Sequence, residues 1–246
     1  MDIILYNIIV GFVSLILGYF FGSIPTGIII GKVFFHRDPR QEGSKNSGGT
    51  NVGRLFGKKI GLLCIILDMI KTVIPLIIVL SIIKFSSLNQ VLIDNFGSGL
   101  WNNGVLYIYL APLGAMIGHC YPVFAKFNGG KAVAAVGGFV LATSWLLSVV
   151  GLAVFFIVLK IKKYVSLSSM VTIVVVTLVA WVMVIVKYVG PVSFANFGMY
   201  GWGDYVVAGF EYAGVVTFGA ALLIYRHRTN IKRLANHEES KIKWLS

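Results

Sequence analysis

The sequence predicts an all-α fold: a polytopic integral membrane protein with about seven transmembrane helices, its amino terminus outside and its carboxy terminus in the cytoplasm. Three observations lead to this prediction. Hydrophobic residues make up 57% of the 246 residues and charged residues only 12%, about half the charged fraction of soluble domains. The apolar residues occur in runs of roughly 20, which match a hydrocarbon core ~30 Å thick. The lysines and arginines gather in a few of the segments between those runs.

The membrane spans follow in order from the apolar runs. The first run, 3–22, has no positive segment before it and no small-residue cleavage site after it. It is therefore predicted to remain as a span rather than to be removed as a signal peptide. Four further runs predict one span each, at about 60–82, 105–125, 168–187 and 206–225.

The run at 132–159 is predicted to hold two helices. It is 28 residues long, and a single crossing would place the basic segment 160–164 outside, against the positive-inside rule. Two helices broken near 142–145 keep that segment inside, although each would reach only ~20 Å at 1.5 Å per residue. A shallow hairpin or a locally thinned bilayer is then expected. With no repeat or linker to divide it, residues 1–246 are predicted to form a single domain.

The positions of the cations set the predicted orientation. Of the 21 lysines and arginines, 18 lie in four segments: 32–59, 126–131, 160–163 and 226–246. Cytoplasmic loops are enriched in lysine and arginine, so these segments are predicted to face the cytoplasm. The segments 86–104 and 189–205 are polar with few charges, and they are predicted to be external. This placement accounts for most of the formal net charge of +12 without a nucleic-acid partner.

Four polar clusters lie on the predicted cytoplasmic side. They are the loop "GSKNSGGTNVGR" (43–54), "GHCYPVFAKFNGGKA" (118–132), "KYVSLSS" (163–169) and "YRHRTNIKR" (225–233). Glycine lets backbone N–H groups wrap an anion, and arginine and lysine neutralise phosphate oxygens. Each cluster alone is also compatible with a tight turn or a basic membrane anchor. Their coincidence on one face favours a site for a phosphorylated small molecule at the cytosol–membrane boundary.

Ionisable and thiol side chains inside the spans are few. Asp68 and Lys71 lie three residues apart in an apolar span and would share one helix face. Such groups usually serve function, but a self-neutralising structural pair fits the pattern equally well, and both interpretations stay open. Cys64 and Cys120 predict neither a disulfide framework nor a metal site.

The polar clusters, together with "GSIPTGIIIGK" (22–32), "DMIKT" (68–72) and "KIKWL" (241–245), resemble the motifs of one enzyme family. These are the bacterial membrane glycerol-3-phosphate acyltransferases that use acyl phosphate, the PlsY family. The resemblance implies a seven-helix enzyme of the cytoplasmic membrane, with its active site on the cytoplasmic face. It would transfer an acyl group from acyl phosphate to the 1-hydroxyl of glycerol 3-phosphate, giving lysophosphatidate and phosphate. The expected partners are these two substrates and membrane lipids, and neither a metal nor another cofactor is expected.

The resemblance also implies site residues, carried over motif by motif. Arg54 and Lys131 would hold the phosphate groups, and Ser44 with the nearby backbone would cradle phosphate. The side chains that would orient groups around the reacting carbonyl are Ser168, Ser169, His227 and Asn230. The implied substrate-binding residues are Asn46, Gly48, Thr50, Asn51, His119, Gly129 and Gly130. Whether His227 or a substrate phosphate accepts the hydroxyl proton stays open.

The chain departs from the family pattern at a few positions. Lys45 and Ala132 stand where the family usually has glycine, and Gly49, Thr72 and Ala135 replace alanine, glycine and threonine. None of these changes removes an expected contact group, but Lys45 adds a charge at the mouth of the site.

Two other classes of protein share some of these features. A transporter or channel for a phosphorylated solute would have the same basic site, and it would be expected to show paired broken helices in two symmetric halves. No such halves are visible in the sequence. A scaffold that binds anionic lipid would not require ordered glycine-rich stretches.

Overall fold

The structure, a computed structural model, describes residues 3–86, 105–190, 196–202 and 206–242. All regular elements within these ranges are helices, and the two β-bridges found there are isolated. The predicted all-α class is therefore confirmed for this part of the chain. Most of the two predicted external segments, 86–104 and 189–205, lies outside the described residues.

Ten α-helices and one 3-10 turn lie within the described ranges. They are α1 (Ile3–Gly22), α2 (Thr26–Phe35), α3 (Gly49–Phe56), α4 (Lys58–Phe85), α5 (Val105–Cys120), a 3-10 turn (Val123–Ala125), α6 (Val133–Thr143), α7 (Trp145–Lys162), α8 (Val165–Val189), α9 (Phe210–Arg226) and α10 (Arg228–Ala235).

Several segments of the described chain suit a bilayer. Five are long and apolar enough to cross one: Ile8–Phe35, Lys58–Phe85, Tyr107–Ala125, Trp145–Lys162 and Val165–Val189. Two predicted spans correspond to shorter helices: the first half of 132–159 to α6, with 11 residues, and 206–225 to α9, with 17. The chain is thus a multi-pass membrane protein, while the count of seven crossings and the orientation of the termini stay predictions.

The break expected near 142–145 is confirmed at Ser144. This residue has extended backbone, with φ −143° and ψ 116°, and its hydroxyl accepts a hydrogen bond from the Leu147 N–H (3.2 Å), which caps α7. The same hydroxyl donates to the carbonyl of Gly198 (2.7 Å). The two helices are unequal: α6 has 11 residues and spans about 16 Å, whereas α7 has 18 and spans about 27 Å.

The chain divides into two compact units, Met1–Phe139 (the first unit) and Val140–Ser246 (the second unit). In the second unit, the α8 indole N–H of Trp181 donates to Thr217 on α9 (3.0 Å), and Thr143 is 3.0 Å from the Tyr212 hydroxyl. The single domain over 1–246 stays a prediction.

In the first unit, α1 and α5 approach each other through small residues. Gly18 and Gly22 on α1, and Gly114 and Gly118 on α5, each lie four residues apart. A Cβ at any of them would overlap backbone atoms of the facing helix. Small residues at this spacing let membrane helices pack backbone against backbone. The contact holds the carboxyl end of α1 beside the carboxyl end of α5, where His119 lies.

The stretch 43–54 is not a loop throughout, as the sequence analysis had it. Its second half begins α3, which packs on α4. Glycine lowers helix propensity, but here it permits close contact: a Cβ at Gly49 would overlap the Ile65 side chain, and one at Gly61 would lie 2.5 Å from the Gly53 Cα. Tertiary packing therefore overrides propensity in this segment.

Candidate active site

Asn51 organises the first glycine-rich stretch, 43–54. Its side chain is 1% exposed, and its Oδ1 accepts a hydrogen bond from the Ser44 N–H (2.8 Å). Its amide nitrogen donates towards the carbonyls of Pro39 (2.8 Å), Glu42 (3.1 Å) and Asn46 (2.9 Å). The resemblance of motifs implies that Asn51 binds substrate. In the structure its side chain fixes the segment that carries Ser44 and Asn46.

The expected contact residues around Asn51 differ in exposure. The Asn46 Oδ1 accepts from the Gly48 N–H (2.8 Å), and Gly48 leads into α3. Thr50 and Arg54 are exposed on α3, whereas Ser44, Asn46 and Gly48 are half-buried. No described residue forms a hydrogen bond or ion pair with the Arg54 guanidinium, which leaves this cation available to an anionic ligand.

The second glycine-rich stretch, 126–132, is folded tightly onto the end of α5. The Gly130 N–H donates to the carbonyl of His119 (2.9 Å). A Cβ at Gly129 would overlap the His119 carbonyl oxygen, and a Cβ at Gly130 would overlap the His119 ring. Both glycines are buried and Lys131 is half-buried. The structure therefore explains why this turn requires glycine at both positions.

Two of the departures from the family pattern fall in left-handed backbone. Lys45 has φ 54° and Ala132 has φ 63°. Glycine adopts this conformation without a steric penalty, whereas another L-residue is disfavoured by roughly 1 kcal/mol. The glycine usual in the family thus matches the backbone, and this chain accepts a small strain at both places.

The two glycine-rich stretches meet in the first unit. Ser47 from the first stretch and Gly129 and Gly130 from the second line one cavity. Another contact joins the residues that precede the two stretches, where Arg40 donates to the carbonyl of Ala125 (3.2 Å). These two of the four polar clusters therefore lie side by side, while the place of all four on one membrane face stays a prediction.

Charged side chains line the same cavity. Asp68 and Lys71 are 2% and 6% exposed, and the Lys71 Nζ lies 2.8 Å from the Asp68 Oδ1. Thr26 donates to that carboxylate oxygen, and the His119 Nδ1 lies 3.6 Å from it. The pair is thus part of a larger network, which the sequence analysis did not foresee.

The second unit carries the other predicted catalytic residues. Ser168 and Ser169 are buried at the start of α8, where their hydroxyls donate to the carbonyls of Tyr164 (2.8 Å) and Val165 (2.9 Å). The His227 Nδ1 lies 2.8 Å from the Leu223 carbonyl and can donate to it. In the neutral ring with its proton on Nδ1, Nε2 is the nitrogen that can accept a proton.

Glu239, which no sequence motif indicated, contacts one of the predicted catalytic residues, Asn230. Its Oε1 accepts hydrogen bonds from Ser166 (2.7 Å) and from the Asn230 amide (2.7 Å), and its Oε2 accepts from Arg233 (2.7 Å). It therefore fixes the orientation of Asn230. A signal was present, since Glu238 and Glu239 are the two carboxylate side chains in the basic segment 226–246.

The contacts of the Glu239 carboxylate are expected to weaken in acid. Burial alone would raise its pKa, but hydrogen bonds from Arg233, Ser166 and Asn230 hold the pKa below the ordinary value of 4.5. A lowered pKa stabilises the fold above 4.5, and this contribution is lost as the pH falls through the folded-state value. We expect Glu239→Gln to unfold a few degrees below wild type at neutral pH, with the gap closing below pH 4.5. Thermal unfolding in detergent across pH tests this; a gap that does not change with pH would contradict it.

The chain is similar to proteins of one family. A family model described as glycerol-3-phosphate acyltransferase matches residues 12–237. The glycerol-3-phosphate acyltransferase of Ureaplasma parvum serovar 3 is 35% identical over 245 residues, covering 96% of this chain and 92% of the relative. That of Staphylococcus aureus strain Newman is 38% identical over 234 residues, covering 95% and 98%.

Solved structures show the same likeness. The crystal structure of PlsY, an integral membrane glycerol 3-phosphate acyltransferase, in its glycerol 3-phosphate form has a TM-score of 0.72 and 30% identity. Its lysophosphatidic acid form has a TM-score of 0.69 and 29% identity. Each comparison covers 96% of this chain and 96% of the other.

Proposed function

The chain belongs to the glycerol-3-phosphate acyltransferase family, and we propose that it transfers a fatty acyl group from acyl phosphate to the 1-hydroxyl of glycerol 3-phosphate. The products are lysophosphatidate and inorganic phosphate, in the first step of phospholipid synthesis. The observation that carries the proposal is the meeting of the two glycine-rich stretches at one cavity, at Ser47, Gly129 and Gly130. Arg54 of the first stretch and Lys131 of the second can neutralise phosphate oxygens, and both substrates carry a phosphate.

The reaction makes modest chemical demands on the protein. The hydroxyl oxygen of glycerol 3-phosphate attacks the acyl carbonyl, a new ester C–O bond forms, and the C–O bond to phosphate breaks. The acyl group is already activated, so no protein nucleophile is needed. Buried Ser168 and Ser169, whose hydroxyl protons are directed to backbone carbonyls, fit an orienting role. The hydroxyl proton passes either to the His227 Nε2 or to a substrate phosphate.

Positioning and electrostatics supply most of the catalysis in this proposal. Arg54 and Lys131 neutralise the phosphate groups of the two substrates. Arginine offers a planar fork of donors that matches phosphate oxygens, whereas lysine acts as a point charge. Asn51 and Glu239 do not contact substrate in this proposal. Asn51 positions Ser44, and Glu239 positions Asn230.

The acyl phosphate donor fits the small size of the site. Coenzyme A would need a groove for its nucleotide, and acyl carrier protein would need a docking face. The connection from the 3-10 turn to α6 is short, and seven residues, 126–132, make up all of it. The cations lie next to apolar helices, where a phosphate headgroup on a membrane-embedded acyl chain would sit.

We place the enzyme in the bacterial cytoplasmic membrane, with seven crossings and the site on the cytoplasmic face. Single cysteines at Ser47, Ser166 and Ser240, introduced in a Cys64→Ala/Cys120→Ala background, should react with a membrane-impermeant reagent only from the cytoplasm. Cysteines at Asn95 and Asn196 should react only from outside. External labelling at Ser166 would contradict two crossings over 132–159.

Phosphate release tests the function directly. Purified protein should release inorganic phosphate from palmitoyl phosphate only after glycerol 3-phosphate is added, and lysophosphatidate should form in equal amount. A transporter of phosphorylated solutes would give neither product, so a negative result with folded protein would refute the proposed function.

A further inference from the structure

We propose that Asp68, Lys71 and His119 form a buried positioning network, which holds the Gly129–Lys131 turn in the shape that binds substrate phosphate. These residues are positioning residues, since they act on substrate through the turn. The proposal rests on the proposed function for its substrate, but the geometry of the network stands independently of it.

Asp68 ties three elements of the first unit together. Within α4, its Oδ1 lies 2.8 Å from the Nζ of Lys71 on the next helical turn. The same oxygen accepts a hydrogen bond from the Thr26 hydroxyl on α2, and the His119 Nδ1 on α5 lies 3.6 Å from it. Lys71 extends the network by donating to the carbonyl of Ile24 (2.8 Å), in the connection between α1 and α2.

His119 transmits this arrangement to the turn. One edge of its ring faces Asp68, while the opposite edge, at Nε2, packs directly on Gly130, where no Cβ could be accommodated. The backbone carbonyl of His119 accepts the Gly130 N–H (2.9 Å). The ring and the carbonyl together fix Gly130, and hence the direction in which the neighbouring Lys131 leaves the turn.

A purely stabilising role accounts poorly for these charges. Removing two charges from water is costly, and apolar side chains of similar volume often give equal or greater stability. A buried charge pair with further polar neighbours can instead specify one arrangement of the elements that it joins. Here the network connects three segments that are distant in sequence, at Ile24–Thr26, in α4 and in α5, and all three line the cavity with Ser47 and Gly130.

Amide hydrogen exchange tests the proposal without reference to activity. In Asp68→Asn and His119→Leu, exchange of a peptide covering residues 126–132 should accelerate at least about tenfold, whereas exchange in the cores of α1 and α5 should change less than about twofold. Thr26→Val removes one hydrogen-bond donor to Asp68 and keeps the side-chain volume. It should also accelerate exchange of this peptide, and it serves as the test if Asp68→Asn and His119→Leu fail to fold. Ser14→Ala is the matched control, because this buried α1 serine donates to the carbonyl of Val10 in its own helix (2.9 Å) and lies outside the network.

Kinetics add a second measurement. The same variants should raise KM for glycerol 3-phosphate more than they lower kcat, because the phosphate-binding turn is loosened. Equal acceleration of exchange in the turn, α1 and α5 would indicate a network that merely stabilises the fold and would overturn the proposal. Wild-type exchange and kinetics in all variants would overturn it as well. If the wild-type protein showed no acyl transfer, only the proposed function would be refuted. The exchange measurement would still show whether the network positions the turn.

Discussion

Arg54→Ala and Lys131→Ala are each expected to lower kcat/KM for glycerol 3-phosphate by about one to two orders of magnitude. A hydrogen bond to a charged group contributes about 1.5–3 kcal/mol, and about 1.4 kcal/mol corresponds to a factor of ten. Arg54 is exposed on α3, so its loss should leave the folded yield nearly unchanged. Steady-state kinetics on purified variants, with folded yield from size-exclusion chromatography, measure both quantities.

Two further variants separate phosphate binding from a general charge effect. Arg54→Lys should remain poor, because a point charge does not reproduce the guanidinium fork. Lys59→Ala removes an exposed cation five residues further along the chain and should retain nearly wild-type kinetics. If all of these variants behaved like wild type, the cations would serve only the membrane surface.

Gly130→Ala is the other substitution for which we expect a large loss of activity. The added methyl would overlap the His119 ring, so the turn must move. Overpacking of this kind costs about 1–3 kcal/mol, and displacement of the phosphate-binding backbone should lower kcat/KM by about two orders of magnitude. Gly137→Ala is the matched control, since its Cβ would meet only the end of Met69 at 3.4 Å.

A double-mutant cycle locates the cause of that loss. The three heavy atoms nearest to a Cβ at Gly130 all belong to the His119 ring. In a His119→Ala background the added methyl should therefore lower kcat/KM by less than about threefold. Fully additive effects of the two substitutions would show that the glycine is needed for another reason.

Composition and charge were sufficient to predict most helices. A long apolar run has few alternatives to a helix in a bilayer, because every backbone polar group must be satisfied within the segment. The break at Ser144 was predictable for a different reason: one crossing would have placed 160–164 on the wrong side. Neither argument needs knowledge of tertiary contacts.

The details that depend on tertiary contacts were not predictable in the same way. From the sequence alone, Gly49 and Gly53 indicate a loop. Their close packing against α4 explains why they are part of a helix. Thr26 lies 42 residues from Asp68 in the chain, and no local pattern connects them. The likeness of motifs could indicate Asn51 and His119 as site residues, but only the structure separates a side chain that fixes a turn from one exposed to a ligand.

The choice of acyl donor decides whether the proposed reaction is the one that this protein catalyses. Purified protein would be given labelled glycerol 3-phosphate with palmitoyl phosphate, palmitoyl coenzyme A or palmitoyl acyl carrier protein in parallel, and lysophosphatidate would be measured. We predict rapid formation with palmitoyl phosphate, inhibition by inorganic phosphate as a product, and essentially no formation with the other two donors. Comparable rates with palmitoyl coenzyme A would contradict the account.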